Sequence, residues 1–463
     1  MEKGQLLIEL VVALGIFIVG ISVFAFLIFD SYLAGRLSLE ITQANFLTEE
    51  GLEAARSIRD NKGENLVNGN HGLRICGGNW HFFGTSETID GKFTRIIQVE
   101  ELDLNRKKIT SRTNWQFTAD RPQEVKLVTH LTNWAKTTSN WTLPSFVGSF
   151  NTPGASDGND LFLSGNILYL VTTNNPGADP EFYSIDVSTP TAPTLLGSLN
   201  LGATATAVTV SGNFAYVSSF HNDQELQIVD ISNPSSPFVA ASFNTPGTSN
   251  GNDIILLCNT LYLVTTVNPG AAPEFYSIDV SNPVSPSLLG SLNLGATATA
   301  VTVSGNFAYV SSFHNDQELQ IVDISNPSAP SLAGFFNAAG GTNASAIASN
   351  FPTIYLGRFN DAGGELLILD ASNPVSVFLL GSYEVGNNLN DIYFNSHRTF
   401  LATSHPSQEF QLVNVEDPAS PIPISQLDLV GSANGIFYSA RNDLSYLATT
   451  ANTQELVITG PGP

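Results

Sequence analysis

Charge is scarce in this chain: 13% of its 463 residues are Asp, Glu, Lys or Arg, about half the usual share. Together with 38 Gly and 24 Pro, that scarcity excludes a protein built mainly of long soluble helices and favours short strands with many turns. An apolar content of 42% excludes a disordered chain. With only two cysteines there is no disulfide scaffold, and Cys76 and Cys258, far apart in sequence, read as isolated thiols. Basic residues are scarcest beyond residue 143. Residues 144–463 hold no Lys, three Arg (Arg358, Arg398, Arg441) and 25 acids, a net of −22, whereas residues 1–143 hold 15 basic and 16 acidic residues. A domain boundary belongs at that break. Such an acidic second half repels phosphate backbones and excludes nucleic acid as a partner. It also lacks Trp, the commonest sugar-stacking residue. No nucleophile elbow, phosphate loop, HExxH or zinc spacing occurs, so neither catalysis nor a cofactor is expected.

What is present begins with a hydrophobic run. Leu6 to Phe29 is apolar apart from Glu9 and Ser22, long enough to cross a bilayer as a helix. A conventional secretory signal places a small-residue cleavage site after its apolar core. Here the small residue, Gly4, precedes the run. A carboxylate at the depth of Glu9 needs a partner, and with no second charge nearby in the same helix the partner should come from elsewhere. Beyond Phe29 the pattern turns amphipathic through Leu33, Leu37, Ile41, Ala44, Leu47, Leu52, Ala55 and Ile58. One helix over residues 5–60 would be roughly 80 Å long at 1.5 Å per residue. Residues 61–134 then read as short strands, with alternation in Phe93–Val99 and Val125–Leu131, and Trp80, Trp115 and Trp134 at their core or rim. Residues 135–143 read as a polar linker.

Lys3-Gly4-Gln5-Leu6-Leu7-Ile8-Glu9-Leu10 resembles the prepilin signal of type IV pilins and type II secretion pseudopilins. The resemblance implies residues 1–4 as a leader, cleaved between Gly4 and Gln5 by a prepilin peptidase, with the helix retained. It implies methylation of the new N-terminus, although Gln5 stands where the family usually has Phe or Met. Glu9 would then pair with the terminal amine of a neighbouring pilin subunit during assembly. The strand region, with Glu53-Ala54-Ala55-Arg56-Ser57-Ile58-Arg59 ahead of it, looks like the globular part of a minor pilin.

The second half is an internal repeat. Residues 195–235 and 288–328 are identical over 41 positions. A shorter unit, centred on Tyr183-Ser-Ile-Asp-Val-Ser and Gln227-Ile-Val-Asp-Ile-Ser, occurs seven times at spacings of 44 to 49 residues. Each unit has four β-runs, which is the arithmetic of a seven-bladed β-propeller. The seventh unit lacks its fourth strand, and the missing run stands at 144–152, where it would close the ring. The I-V-D-I-S-N-P signature resembles the LVIVD propeller repeats. The fold class is therefore mainly β with one long N-terminal α-helix: a pilin-like α+β module followed by a propeller over 144–463.

Within the repeats, Asp186, Asp230, Asp279, Asp323 and Asp370 precede Asn-Pro-type turns and read as turn formers. Glu181, Glu225, Glu274, Glu318, Glu365, Glu409 and Glu455 open the third strand of every unit, and their periodicity marks a repeat-level structural or surface role. Two loop sets should share one face, rich in Asn, Asp, Gly and His. Asp157, Asn159, Phe220, His221, Asn222, Phe313, His314 and Asn315 are the expected recognition residues there. The oxygens of Asp157 to Asp160 are calcium-compatible but lack EF-hand spacing. The function these features imply is a minor type IV pilin that displays a propeller head at a bacterial cell surface for adhesion or recognition of a glycan or protein. It would cross the membrane once before assembly. The alternatives are a secretion pseudopilin contacting cargo and a membrane-anchored propeller enzyme or binding protein.

Overall fold

The computed structural model describes residues 2–61, 66–76, 79–103, 106–132, 140–174, 179–267, 272–360 and 363–462. Trp134, residues 135–139 and the side chains of Gly4 and Gln5 lie outside that description. The chain divides into two compact units, the second holding everything from residue 133 onward.

The first unit contains α1 (Glu2–Asn61), β1 (Gly69–Cys76), β2 (Asn79–Phe83), β3 (Glu87–Ile89), β4 (Phe93–Asp103), β5 (Arg106–Thr118) and β6 (Arg121–Thr132). The strands form one sheet in the order β2-β1-β4-β5-β6, with β3 on β4. The helix has two surfaces of different character. From Ile8 to Phe29 its large apolar side chains are all exposed, a stretch long and apolar enough to cross a membrane. From Glu40 to Ile58 it packs on the sheet through Ala44, Thr48, Leu52, Ala55 and Ile58, spaced three or four residues apart. Gly51 permits the close approach, because a Cβ there would overlap Ser111 Oγ and the Ile97 side chain. Trp115 is buried and donates Nε1–H to Glu40 at 2.9 Å; Arg36 and Lys92 pair with the same carboxylate. On β4 the expected alternation holds, with Phe93, Ile97 and Val99 inward, but Arg95 is buried among them. Its guanidinium donates to Leu47 O at 2.8 Å and pairs with Glu50 and Glu87 at 2.6 and 2.7 Å. A buried cation so partnered is tolerated where an unpaired one would not be.

The second unit consists, among the described residues, of seven four-stranded antiparallel sheets arranged like propeller blades. They span 158–199, 205–243, 251–292, 298–336, 344–383 and 389–427 (sheets 1 to 6), and 433–461 plus β7 (Pro144–Phe150) as sheet 7. Burial follows strand position. Second and third strands are buried on both faces because each sheet is sandwiched between neighbours, whereas fourth strands are largely exposed. First strands of successive sheets adjoin one another, and that of sheet 7 adjoins that of sheet 1.

Each first strand contains a β-bulge, where one residue is left out of the pairing with the second strand. The bulged residues are Asn159, Thr206, Asn252, Thr299, Ser345, Asn390 and Asn434. Every one donates a side-chain hydrogen bond to a backbone carbonyl in the next sheet's first strand, at 2.5–3.0 Å. The last, Asn434 to Gly158 O, joins sheet 7 to sheet 1. The repeated glutamates make a second set of ties. Each is buried, and its Oε2 accepts a backbone N–H from the segment that follows the fourth strand of its own sheet, at 2.7–2.8 Å. In sheet 7 that donor is Thr152, just after β7. Closure therefore uses the same bond as every other sheet.

Two expectations need correction. Cys258 is not an isolated thiol but disulfide-bonded, and no described cysteine is free. Trp141, expected in a polar linker, is buried between sheets 6 and 7 against Phe400, Phe410 and Tyr438. Its Nε1–H donates to Asp443 Oδ1 at 2.8 Å, which also accepts from Tyr438 OH. The polar surroundings of Trp141 in sequence conceal that it fills a gap in the sheet stack.

Removing the acceptor for Thr152 should loosen β7 first. Glu455→Ala is expected to lower the stability of the second unit by about 1–3 kcal/mol, the cost of a buried donor left unpaired. Thermal unfolding together with limited proteolysis near residues 144–152 would detect it. Unchanged melting and cleavage would show that β7 is held without this bond.

Candidate recognition face and inner carboxylates

The loop before each first strand and the loop after each second strand lie on one face of the second unit. They are joined by a backbone bond that recurs in all seven sheets. The N–H donors are Thr173, Phe220, Thr266, Phe313, Phe359, Ser404 and Thr450. Where this residue is Thr, its hydroxyl is engaged: Thr173, Thr266 and Thr450 accept the N–H of Asp157, Asn250 and Ser432 at 2.8–2.9 Å. In sheets 2, 4 and 5 it is Phe. Phe220 and Phe313 are 41% and 37% exposed, and Phe313 meets Phe359 edge-on with centroids 5.7 Å apart.

The other expected recognition residues divide into two groups. His221 and His314 sit beside the phenylalanines, and each accepts the N–H of Asp223 or Asp316 on Nδ1 at 3.2 or 3.3 Å. His405 does the same with Ser407 in sheet 6, a third copy that the unlike flanking sequence disguised. These imidazoles order their own turns. Asn222 and Asn315 are exposed at the tips. Asn159, by contrast, is a bulge residue whose side-chain amide is tied to Ala205 O. Asp157 is half-buried on the loop face, its carboxyl raised above the ordinary range by burial. The turn aspartates have the expected role: Asp186, Asp230, Asp279, Asp323 and Asp370 each accept an N–H two residues on, at 2.7–2.8 Å. They occupy the opposite face.

A set of carboxylates lies on the inner strands, of which the sequence drew attention only to Asp160, as a calcium-compatible oxygen donor. Asp160, Asp253 and Asp391 follow the bulged Asn of sheets 1, 3 and 6. Each accepts the N–H of its own next residue and an N–H of the neighbouring sheet, those of Val208, Val301 and Ile436, at 2.7–2.8 Å. The sheets that donate these N–H groups carry Ala207, Ala300 and Gly435 at the position where sheets 1, 3 and 6 carry Asp. At Gly435 even a Cβ would crowd Asp160. Burial raises all three carboxyls, and they repel one another across the ring. Asp160 stands well above its ordinary value, Asp253 is pushed to about 7 and Asp391 to about 6. The signal in sequence was the dipeptide Asn-Asp at one repeat position in three units out of seven. Among the described residues no group of three or more His, Cys, Asp or Glu is placed to hold a metal ion.

Comparison with known proteins identifies LVIVD repeats at residues 155–200, 202–245, 274–293, 295–338 and 360–385. No match is found among curated protein sequences. Among solved structures, the chain is similar to the WD40 domain of Neurospora crassa Pan2, with a TM-score of 0.52 and 8% identity over 69% of this chain and 96% of that one. It is similar also to a protein from Lactobacillus plantarum, with a TM-score of 0.50 and 12% identity over 70% of this chain and 99% of that one. At such identities the likeness concerns the fold alone, and it supports a β-propeller-like architecture.

A carboxyl that holds its proton more tightly folded than unfolded contributes stability that is complete below its unfolded value, about pH 4. That contribution is lost as pH rises through the folded value. Asp391 and Asp253 place the loss between about pH 4 and 7, and the buried Glu181, Glu225, Glu274 and Glu455, also raised by burial, act in the same direction. The second unit should melt lower at pH 8 than at pH 5. Asp391→Asn, which loses charge and one acceptor, should melt lower than wild type at pH 5 but change less between the two. Scanning calorimetry at both pH values tests this, and a parent protein that gains stability from pH 5 to 8 contradicts it.

Proposed function

We propose that this protein is a membrane-inserted, pilin-like display protein: a minor type IV pilin whose seven-bladed propeller serves as a recognition head outside the cell. The observation that carries the reading is the divided helix α1. Its Ile8–Phe29 surface is bare apolar side chain, while its second half is fastened to a sheet. A helix built that way supports a membrane stage followed by packing among other helices, as the resemblance of Lys3 to Leu10 implies. The disulfide at Cys258 favours an oxidising, extracytoplasmic setting for the head. Chain direction favours display as well. Strand β7 begins at Pro144 beside Pro461 and ends at Phe150 beside Leu456. Strand β7 therefore starts on the turn face and leaves the loop face with Phe220 and Phe313 unobstructed. Rigidly mounted loops of this kind commonly carry recognition.

In this reading Gly4 marks the processing site because the peptidase must admit a residue without a side chain, and Glu9 acts in assembly through a charge partner on another subunit. Intact-mass analysis of the membrane-extracted protein should show a chain beginning at Gln5, and Gly4→Val should leave the precursor uncut. Glu9→Leu should be cleaved normally yet be absent from sheared surface filaments probed with antibody to the head. Wild-type protein beginning at Met1 would refute the pilin reading. Filaments that incorporate Glu9→Leu at the wild-type level would refute the role of that carboxylate.

A further inference from the structure

The loop face presents one surface twice. The identical segments 195–235 and 288–328 bring sheets 2 and 4 the same local bonds. Thr204 Oγ1 accepts the N–H of Asn174 from sheet 1 at 3.0 Å, and Thr297 Oγ1 that of Val267 from sheet 3 at 3.1 Å. His221 and His314 hold equivalent turns. Each copy exposes a phenylalanine, Phe220 or Phe313, with an exposed carboxylate three residues on, Asp223 or Asp316. The fold does not require these rings, since sheets 1, 3 and 7 place Thr at the same position. No Lys or Arg is exposed on this face among the described residues. Arg358 is buried, and Arg398 and Arg441 flank the turns between first and second strands, at the opposite end.

We propose that the loop face carries one docking point twice, at Phe220 and at Phe313, for a cationic polypeptide. Its arginine or lysine side chains would lie over the rings and against Asp223 and Asp316. The proposal rests on the reading of this face as a recognition surface. Exposed rings and unopposed carboxylates attract a cation together, whereas a neutral ligand gains hydrogen bonds from the carboxylates but no Coulombic attraction. Because Phe359 adds a second ring beside Phe313 only, the Phe313 point is the stronger. A partner with two basic clusters can engage both points, so its affinity exceeds that of either cluster alone.

The test uses the full chain in non-ionic detergent micelles and two fluorescent synthetic peptides. One carries a single cluster of arginines, and the other carries two clusters joined by a Gly-Ser linker. Fluorescence anisotropy at low salt should show the two-cluster peptide binding at least about tenfold more tightly, and high salt should weaken both. Phe220→Thr and Phe313→Thr install the residue of sheets 1 and 3, so folding should be retained, as melting would verify. Each should weaken the two-cluster peptide by about three- to tenfold, Phe313→Thr more, and the double variant should lose the advantage of the second cluster. Equal affinity for both peptides would overturn the two-point arrangement. Absent binding, or binding indifferent to both substitutions, would overturn the cationic partner. If a glycan array then showed Phe-dependent binding of the wild-type chain, the recognition surface would stand with a neutral ligand. Failure on both would remove that reading as well.

Discussion

Each inner strand of the second unit carries one residue more than its partner strand can pair, and the ring depends on where that residue sends its side chain. A bulge turns the extra side chain out of the ladder. Here it reaches sideways to a carbonyl of the next sheet, seven times in succession. Hydrophobic packing between sheets is strong but has little directional preference. The bulge bonds supply direction, fixing the register in which one sheet meets the next. Asn, Thr and Ser all serve, because the position asks only for a short side chain with a donor.

The acidity of this unit is largely architectural. Fifteen of the 25 acids counted in residues 144–463 are the seven third-strand glutamates, the three inner aspartates and the five turn aspartates, all bonded to backbone N–H groups. A carboxylate is the natural acceptor for N–H groups that turns and sheet junctions leave unpaired. The seven glutamates are buried and the three inner aspartates desolvated, so net charge read from composition overstates the field at the surface. The acids that do shape it include Asp223, Asp316 and Asp428, exposed on the loop face.

Period, strand order and ring closure were legible in the sequence because they rest on repetition: apolar runs recur, and the strand missing from the last unit stands before the first. The division of α1 was legible for the same reason, as a change in hydrophobic pattern. Single residues were harder to read. Asn159 looks like a loop residue, and only the bulge shows that it points toward a neighbouring sheet. Trp141 stands in a polar stretch, and nothing local announces that it fills the space beside Phe400. The inner aspartates are marked only by an Asn-Asp dipeptide in three units; their environment arises from seven strands meeting, which no local window of sequence contains. Cys258 was misread because separation along the chain says little about proximity in a fold.

Strand β7 also determines how the second unit bears load. It runs antiparallel to the last strand of the chain through six paired positions, from Pro144 on the turn face to Phe150 on the loop face. If a partner held on the loop face pulls against the chain before Pro144, the tension acts along β7, and its ladder is strained in shear. Its hydrogen bonds must then yield together, not one after another as in unzipping. Ahead of them on the chain, Trp141 is a bulky plug wedged between two sheets, and the pull reaches it first. Under such a pull the seam that closes the ring would be loaded in its strongest direction.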